Sequence, residues 1–161
     1  MKIIEYEEKY LEDIKELLVE LEEYIISIDK DGLDRIQEDY KDKMALLDLE
    51  EVKNNDGKCY IALEDNKAIG LIMGIITKYD ENDYLDYKCP KKGEITELIV
   101  TNKNRSNSIG KELIERIEEY FKSMDCEYIT VDVFAYNDKA IKFYNNRGYH
   151  TRMYTNIKKI K

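Results

Sequence analysis

A polar loop between an apolar strand and an amphipathic helix is the part of this sequence best suited to bind an anion. The apolar run 94–100 leads into loop residues 101–108, and a helical pattern begins directly after them. Free backbone N–H groups in such a loop, and the dipole of the helix after it, attract phosphate groups. Lys103, Arg105 and Lys111 also cluster here, in a chain whose formal net charge is −9. We therefore expect the chemistry of the protein at this loop.

The loop does not match two common nucleotide-binding loops. A P-loop needs glycine where this chain has Arg105, and serine or threonine where it has Glu112. A dinucleotide-binding fingerprint needs three glycines, and only Gly110 is present. A second group of cations, Lys139 and Lys142, lies on a later short helix. Since parallel strands present their C-terminal ends at one edge of a sheet, both groups are expected to face one ligand.

The apolar periodicity predicts an α/β fold around this loop. Strands are predicted at residues 2–6, 59–63, 68–77, 94–100, 128–134 and 149–158, and helices at 9–28, 33–53, 109–124 and 138–146. The order is therefore β-α-α-β-β-β-α-β-α-β. Consecutive strands form antiparallel hairpins and helix-linked strands form parallel crossovers, so we expect a single-domain mixed, mostly antiparallel sheet flanked by helices.

Local features of this pattern place particular side chains. The second helix is predicted to bury one face, formed by Leu33, Ile36, Tyr40, Met44 and Leu47. Asn137 is predicted to cap the last helix, and His150 is interpreted as a structural residue of the final strand. Period-two alternation puts Glu97 on one face with Ile95 and Ile99. A carboxylate there is unfavourable unless it is partnered or functional.

Composition limits the class of protein. One proline, no linker-like tract and 43% hydrophobic residues predict a single domain over residues 1–161. The acidic balance disfavours nucleic acid and weakly favours a cationic partner. The N-terminus lacks a signal-peptide pattern, and no apolar run approaches the roughly 20 residues that cross a bilayer, so a cytoplasmic location without a membrane partner is expected. Three separated cysteines and one histidine predict no metal site.

Two motifs and the element order resemble those of the GNAT superfamily of acyl-CoA-dependent N-acetyltransferases. Residues 95–114 are similar to its Arg/Gln-x-x-Gly-x-Gly/Ala cofactor loop, with Ser108 where the family has its first loop glycine. The segment Asn137-x-x-Ala140-x-x-Phe143-Tyr144, and then Gly148-Tyr149, resembles the later cofactor-contacting helix and the strand after it. The resemblance spans the whole chain in topology and about residues 94–150 in motif.

The resemblance implies acetyl-CoA as co-substrate and assigns residues to it. The backbone of Leu98, Ile99 and Val100 would pair with pantetheine by strand addition. Loop N–H groups would hold the pyrophosphate, and these belong to Arg105, Ser106, Asn107, Ser108, Ile109, Gly110 and Lys111. Asn137 would touch the cofactor as well as cap its helix. Because serine permits a less close backbone approach than glycine, Ser108 is a departure that bears on cofactor affinity.

The resemblance also implies direct attack of a primary amine on the thioester in a ternary complex. Amines are protonated at neutral pH, and Glu97 would remove that proton; a salt-bridged or strand-end glutamate is an equally good interpretation. Tyr144 matches the family tyrosine that protonates the departing thiolate, although most of the 14 tyrosines are expected to serve packing. The acceptor pocket would be lined by the first two helices and the loop before the cofactor strand.

Acidic residues in those pocket regions favour a polyamine, an aminoglycoside or another small cationic amine. They are Asp29, Asp31, Asp34, Asp80, Glu81, Asp83 and Asp86; solvated loop acids are an equally good interpretation. The alternatives are a protein lysine or N-terminal acetyltransferase, a non-catalytic acyl-CoA-binding or regulatory module on the same fold, and a nucleotide- or flavin-binding protein. The first two remain open, and the failed loop motifs disfavour the last. A monomer or a homodimer is expected.

Overall fold

The computed structural model describes residues 1–105 and 108–161. Its strands are β1 (Lys2–Glu5), β2 (Lys58–Glu64), β3 (Lys67–Ile76), β4 (Lys92–Val100) and β5 (Tyr128–Val131). Its α-helices are α1 (Leu11–Ile28), α2 (Tyr40–Asn54), α3 (Ile109–Ser123) and α4 (Asp138–Asn145). Short 3-10 turns lie at Glu8–Tyr10, Asp83–Leu85 and Asn102–Asn104. No helix in these described parts of the chain is both long and apolar enough to cross a membrane.

The strands form one sheet in the order β1-β2-β3-β4-β5. The first three neighbouring pairs are antiparallel, and β4 pairs with β5 in parallel. The predicted mixed, mostly antiparallel sheet is therefore confirmed. The parallel pair covers only four residues of β4, Lys92 to Ile95, so the C-terminal half of β4 has no β5 partner in the described structure. The two strands thus leave a gap at their C-terminal ends.

Helices cover both faces of the sheet and separate two apolar cores. On one face, Ile14, Leu17 and Leu18 of α1 are buried, with spacings of three and four that place them on one side of the helix. On the other face, α3 buries a matching stripe, which consists of Ile109, Leu113, Ile114, Ile117 and Phe121. Because both stripes are buried against the sheet, β3 and β4 lie in the middle of a three-layer structure.

A β-bulge in β4 reverses part of the predicted alternation. Met73 pairs with Glu97 but Gly74 pairs with Ile95, which leaves Thr96 as an extra residue. As a result Ile95 packs into the α3 core, whereas Ile99 packs into the core under α1 and α2. Glu97 shares the face of Ile99, so the prediction that it shares a face with Ile95 is wrong. The bulge turns the Glu97 side chain toward α1 and α2.

The second helix is shorter than predicted and buries a different face. It begins at Tyr40, and its buried residues are Ala45, Asp48 and Val52. Leu33 lies outside the helix and is exposed, as are Ile36 and Leu47, whereas Tyr40 and Met44 are half-buried. The Asp29 carboxylate accepts hydrogen bonds from the amides of residues 31, 33 and 34. These bonds hold the segment in a loop and compete with helix formation.

The final strand predicted at residues 149–158 is absent from the structure, whose described residues 151–161 are all exposed coil. Only the start of the segment is anchored, because the Tyr149 amide donates to the Tyr144 carbonyl at 3.2 Å. His150 is therefore an exposed residue and not part of a strand. Alternating residue types favour a strand, but a strand also needs a sheet edge to pair with, and this segment is not paired with β5.

Gly93 tests how tightly β4 packs against α3. A Cβ atom on Gly93 would lie 2.5 Å from Cγ of the fully buried Phe121 ring. We expect Gly93→Ala to lower the free energy of unfolding by about 1–3 kcal/mol, because the ring must shift within a close-packed core. Denaturant unfolding measures this. The control is Gly110→Ala, whose Cβ would lie an ordinary 3.6 Å from Phe143 and should leave stability unchanged. Unchanged stability of Gly93→Ala would contradict the packing argument.

Candidate active site

The gap between β4 and β5 exposes main-chain hydrogen-bonding groups. The Thr101 amide donates to the Ile69 carbonyl on the β3 side at 2.9 Å. Because backbone direction alternates along a strand, Ile99 also directs its N–H and C=O toward β3, whereas Leu98 and Val100 direct theirs toward the gap. Of the three residues predicted to pair with a ligand, Leu98 and Val100 thus have their backbone groups on the open side. Their side chains pack against the α3 core.

Ser108, the residue before α3, has a backbone conformation that is strained for any residue but glycine. Ser108 precedes the helix with φ +60°, in the left-handed region that glycine adopts without strain. Its hydroxyl donates to Glu112 at 3.1 Å, and the Glu112 amide makes an early helical bond to the Ser108 carbonyl at 3.0 Å. The amides of Ile109, Gly110 and Lys111 therefore lie in the first turn, where helical N–H groups lack helical acceptors. The predicted ligands Ser106 and Asn107 lie outside the described residues.

Arg105 is held by both β4 and α1. Its Nε donates to the Val100 carbonyl at 3.0 Å, and its guanidinium lies 5.3 Å from the ring centroid of Tyr24. The second contact is a cation–π interaction that fixes the plane of the side chain. The bond to Val100 uses one of the main-chain acceptors that face the gap. Arg105 is thereby positioned at the C-terminal end of β4, where the predicted anion site lies.

Tyr24 links the loop to α4, and sequence patterns did not single it out. Its hydroxyl donates to Asn137 Oδ1 at 3.2 Å, and the same oxygen accepts from the Ala140 amide at 3.1 Å. The predicted N-cap role of Asn137 is therefore confirmed. One turn earlier in α1, the Glu20 carboxylate accepts from the Asn102 amide at 2.7 Å. The spacing of four residues is the only sequence signal that pairs Glu20 with Tyr24, and it does not reveal their distant partners.

Tyr144 is buried on α4, at the predicted position. It is 7% exposed, and its ring makes edge contacts with Phe143 and Tyr149 at centroid distances of 5.3 and 5.4 Å. Burial raises the pKa of Tyr144 above its ordinary value, and the negative charge of Glu97 raises it further. The phenol consequently keeps its proton at neutral pH. The effect of Glu97 also means that the two predicted catalytic side chains lie within electrostatic reach of each other.

Glu97 lies at the start of the unpaired half of β4, among other carboxylates. Burial raises the pKa of Glu97 to about 8, and the charges of Asp48, Glu22 and Glu51 raise it in the same direction. Burial likewise raises the pKa of Asp48 to about 6. A carboxyl group with a pKa near 8 exchanges its proton in the neutral range, as a general base must. Asp48, Glu22 and Glu51 were not predicted, because their proximity depends on how α1 and α2 pack.

Three of the loop acids predicted to line the pocket, Asp29, Asp80 and Asp83, organise their own loops. The Asp29 carboxylate accepts three backbone N–H bonds, which lower the pKa of that carboxyl. Asp80 accepts from the Asn82 amide at 2.7 Å, and Asp83 accepts from the Asp80 amide at 2.8 Å. The cations Lys139 and Lys142 are exposed on α4. Of the predicted loop acids, Asp34 acts on the site, because its charge adds to burial in raising the pKa of Glu22.

The hydroxyl of Tyr24 provides a test of this positioning. Tyr24→Phe keeps the ring beneath Arg105 and removes the hydrogen bond to Asn137. We expect the Kd for coenzyme A, the expected ligand of the loop, to rise about 3–10-fold, since a neutral hydrogen bond contributes about 0.5–1.5 kcal/mol. Isothermal titration calorimetry measures this, with Tyr84→Phe, at an exposed tyrosine, as control. An unchanged Kd would show that the link does not support the ligand site.

Solved structures share this fold. A mutant of the BH1408 protein from Bacillus halodurans superposes with a TM-score of 0.84 over 100% of both chains at 19% identity. The aminoglycoside N-acetyltransferase AAC(6')-Iy, solved in complex with CoA, superposes with a TM-score of 0.69 over 99% of both chains at 16% identity. At these identities the likeness is one of fold.

Sequence relatives extend the comparison to named proteins. The uncharacterized N-acetyltransferase MJ1530 of Methanocaldococcus jannaschii is 31% identical over 94 residues, which are 58% of this chain and 53% of that protein. N-alpha-acetyltransferase 30 of Homo sapiens is 28% identical over 91 residues, 56% of this chain and 23% of that protein. The matched regions thus span about half and about a quarter of these relatives.

A family model supplies the assignment. The model for the acetyltransferase (GNAT) family matches residues 12–149, which include the gap between β4 and β5, the α3 loop and α4. That range also contains Glu97 and Tyr144. The resemblance inferred from the two motifs is therefore confirmed, and the chain belongs to the GNAT family of acetyltransferases.

Proposed function

We propose that the protein is an N-acetyltransferase that moves the acetyl group of acetyl-CoA to a primary amine by direct attack in a ternary complex. The observation that carries this proposal is that Glu97, at the start of the unpaired half of β4, lies within electrostatic reach of the buried Tyr144 phenol. Glu97 has a pKa of about 8, and the pKa of Tyr144 is raised by burial and by the charge of Glu97. A carboxyl that titrates near neutral pH and a protonated phenol within electrostatic reach of it suit the two proton transfers of amide formation.

The residues around the gap fit acetyl-CoA as co-substrate. Leu98 and Val100 direct backbone groups to the open side of β4, which suits pairing with the amides of pantetheine. The first-turn amides of α3 and the left-handed Ser108 form a cradle suited to pyrophosphate. When bound, acetyl-CoA supplies an activated acetyl thioester. Asn137 stays in the proposed set, with its Oδ1 shared between the α4 cap and Tyr24.

Glu97 is proposed as the base that makes the amine nucleophilic. An alkylammonium group has a pKa of about 10.4, and an ordinary glutamate has one of about 4.3. Proton transfer from the alkylammonium to an ordinary glutamate is therefore unfavourable by about six pKa units. With the pKa of Glu97 near 8, the difference shrinks to between about two and three units, which makes the neutral amine far easier to form. Burial of Glu97 on the α1–α2 face thus raises the pKa of its carboxyl group toward that of the amine that it deprotonates.

Tyr144 is proposed as the acid that completes the reaction. As the nitrogen–carbon bond forms and the carbon–sulfur bond breaks, the phenol gives its proton to the departing sulfur. The nitrogen then releases its remaining extra proton, which restores the phenol. Overall, an ammonium ion and a thioester give an amide, a thiol and one proton, which leaves from Glu97 to solvent. A buried phenol is protonated at neutral pH, so Tyr144 holds the proton that this step requires.

A peptide N-terminus is the second candidate acceptor. The observation in its favour is the similarity of 91 residues to N-alpha-acetyltransferase 30. The acidic surroundings of Glu97 favour a small cationic amine instead, since a peptide N-terminus carries a single charge and an uncharged backbone.

A thiol-release assay with acetyl-CoA against polyamines, aminoglycosides, amino acids and peptides tests the proposal. Coenzyme A binding with no thiol release from any amine would favour a non-catalytic acyl-CoA-binding module.

Glu97→Gln preserves shape and removes the titrating group. For the wild type, we expect kcat/KM to rise with pH to a plateau above about pH 8, as the carboxyl loses its proton. The variant should lose this limb and about 10²–10⁴-fold of the rate, with the Kd for coenzyme A little changed. Steady-state rates across the pH range measure this. Unchanged turnover would remove Glu97 from the mechanism.

The same carboxyl allows a control that does not depend on activity. Its pKa of about 8 in the folded protein lies above the ordinary value of about 4.3, so folding favours its protonated form. The stability that this proton confers is present at low pH and is lost as pH rises through about 8. Asp48 titrates at a pKa of about 6. Between about pH 6 and the pKa of Glu97, about 8, the free energy of unfolding should therefore fall because of Glu97. Glu97→Gln should weaken that fall.

Tyr144→Phe tests the proposed acid. We expect kcat to fall about 10²-fold with the Kd for coenzyme A nearly constant, because only proton donation is removed and the ring still packs. Stopped-flow thiol release gives kcat. Tyr120→Phe, which removes another partly buried phenol that donates to the Asp56 carbonyl, serves as control and should keep kcat. Equal rates in the Tyr144 variant and the wild type would assign Tyr144 to packing.

A further inference from the structure

Asp48 is a buried acid without a hydrogen-bond partner. It lies on α2, is 9% exposed, and its Oδ2 has no partner among the described residues. Burying a carboxylate oxygen without a hydrogen-bond partner is unfavourable, because the desolvation of that oxygen is not compensated. An apolar residue would fill the same position on the helix face between Ala45 and Val52 without this loss of stability. Packing therefore does not explain why an acid is present.

The sheet register places Asp48 beside Glu97. Cys59, Met73 and Glu97 form one row across β2, β3 and β4, and α2 packs over β2 and β3. The charge of Asp48 acts on both ends of this row, because it raises the pKa of Cys59 and that of Glu97. Asp48 thus lies over the row, on the face toward which the β4 bulge turns Glu97.

Glu22 of α1 and Tyr40 of α2 complete the group. Burial raises the pKa of Glu22. Burial also raises the pKa of the Tyr40 phenol, and the charges of Glu22, Glu97 and Asp48 raise it further. We call Glu22, Asp48 and Glu97 the carboxylate cluster. None of its members forms an ion pair with a residue in the described parts of the chain. The cluster therefore holds acidic groups that no cation in the described parts of the protein neutralises.

The spacing of the cluster restricts the cation that suits it. Within residues 1–105 and 108–161, no three His, Cys, Asp or Glu side chains are placed to hold one metal ion. The acids are nevertheless near enough to shift the pKa values of one another's neighbours. Separated charges of this kind match a flexible organic cation whose own charges are several bonds apart. An ammonium group also donates three hydrogen bonds, which suits a carboxyl group such as Asp48 that has an oxygen without a protein partner.

We propose that the acceptor is a linear diamine or polyamine, and that Asp48, supported by Glu22, binds the ammonium group that is not acetylated. The reacting amino group then lies at Glu97. This identification of the substrate rests on the proposed function, whereas the ammonium subsite itself does not depend on acetyl transfer. The net charge of −9 favours encounter with such a cation. Asp48 is thus a specificity residue and Glu97 remains the proposed base.

Amines that differ in their second charge distinguish binding at the Asp48 subsite from catalysis at Glu97. Thiol release is measured with 1,4-diaminobutane, spermidine and n-butylamine, which share a primary amine and differ in the second charge. We expect the ratio of kcat/KM for the diamine to that for butylamine to fall at least about tenfold in Asp48→Asn. Glu50→Gln, on an exposed residue of the same helix, has the same change in net charge and should leave the ratio at its wild-type value. An unchanged ratio in Asp48→Asn overturns the proposal.

Binding without acetyl-CoA makes the outcome independent of turnover. Calorimetry should show spermidine binding to the wild type and at least about tenfold weaker binding to Asp48→Asn, with a smaller loss in Glu22→Gln. The Asp48 variant is near-isosteric and removes an unsatisfied buried charge, so it should fold; a thermal melt checks this, and Glu22→Gln gives a second test. Asp48-dependent binding without thiol release would support the subsite and refute the acetyltransferase proposal. Equal binding to all variants, or none to the wild type, overturns the subsite.

Discussion

The parting of β4 from β5 is the constraint on which the rest of the structure depends. The strands pair over four residues of β4, Lys92 to Ile95, and the next residue of β4 is the extra residue of a bulge. Beyond it, half of the main-chain groups of β4 face a gap and not a neighbouring strand. Unpaired backbone groups in a sheet interior are unfavourable, so an arrangement of this kind persists only because surrounding elements hold it open. Arg105 takes one of these groups, the Val100 carbonyl.

Helix α1 fixes both sides of that gap from across the sheet. Its Glu20 holds the backbone after β4, and its Tyr24 joins the Arg105 side chain to the Asn137 cap of α4. The proposed phosphate cradle and the proposed acid therefore depend on one helix that belongs to neither motif. This arrangement links the acceptor side of the protein, where α1 and α2 lie, to the proposed cofactor side.

The bulge in β4 also determines which charged groups surround the Glu97 side chain. It turns Glu97 toward α1 and α2, which carry the half-buried Glu22 and the buried Asp48. Burial of Glu97, together with the charges of these acids, raises the pKa of Glu97 to about 8. The same charge helps to keep the Tyr144 phenol protonated. A site that holds several acids near one another destabilises the protein in the absence of a cation. That stability loss and the proposed affinity for an amine have one physical origin.

The sequence by itself determined the order of the first nine elements, the sheet type, the α3 loop, the Asn137 cap and the family, because periodicity, turn residues and contiguous motifs are local. It was wrong about the start and face of α2 and about a strand at residues 149–158, since hydrogen bonds from Asp29 and the lack of pairing with β5 override residue preference. Only the tertiary structure decided that Asp48 and Glu22 surround Glu97, and that Tyr24 reaches both Arg105 and Asn137. Those contacts join residues far apart in the chain, and a one-residue bulge, which alternation cannot reveal, sets the face on which they meet.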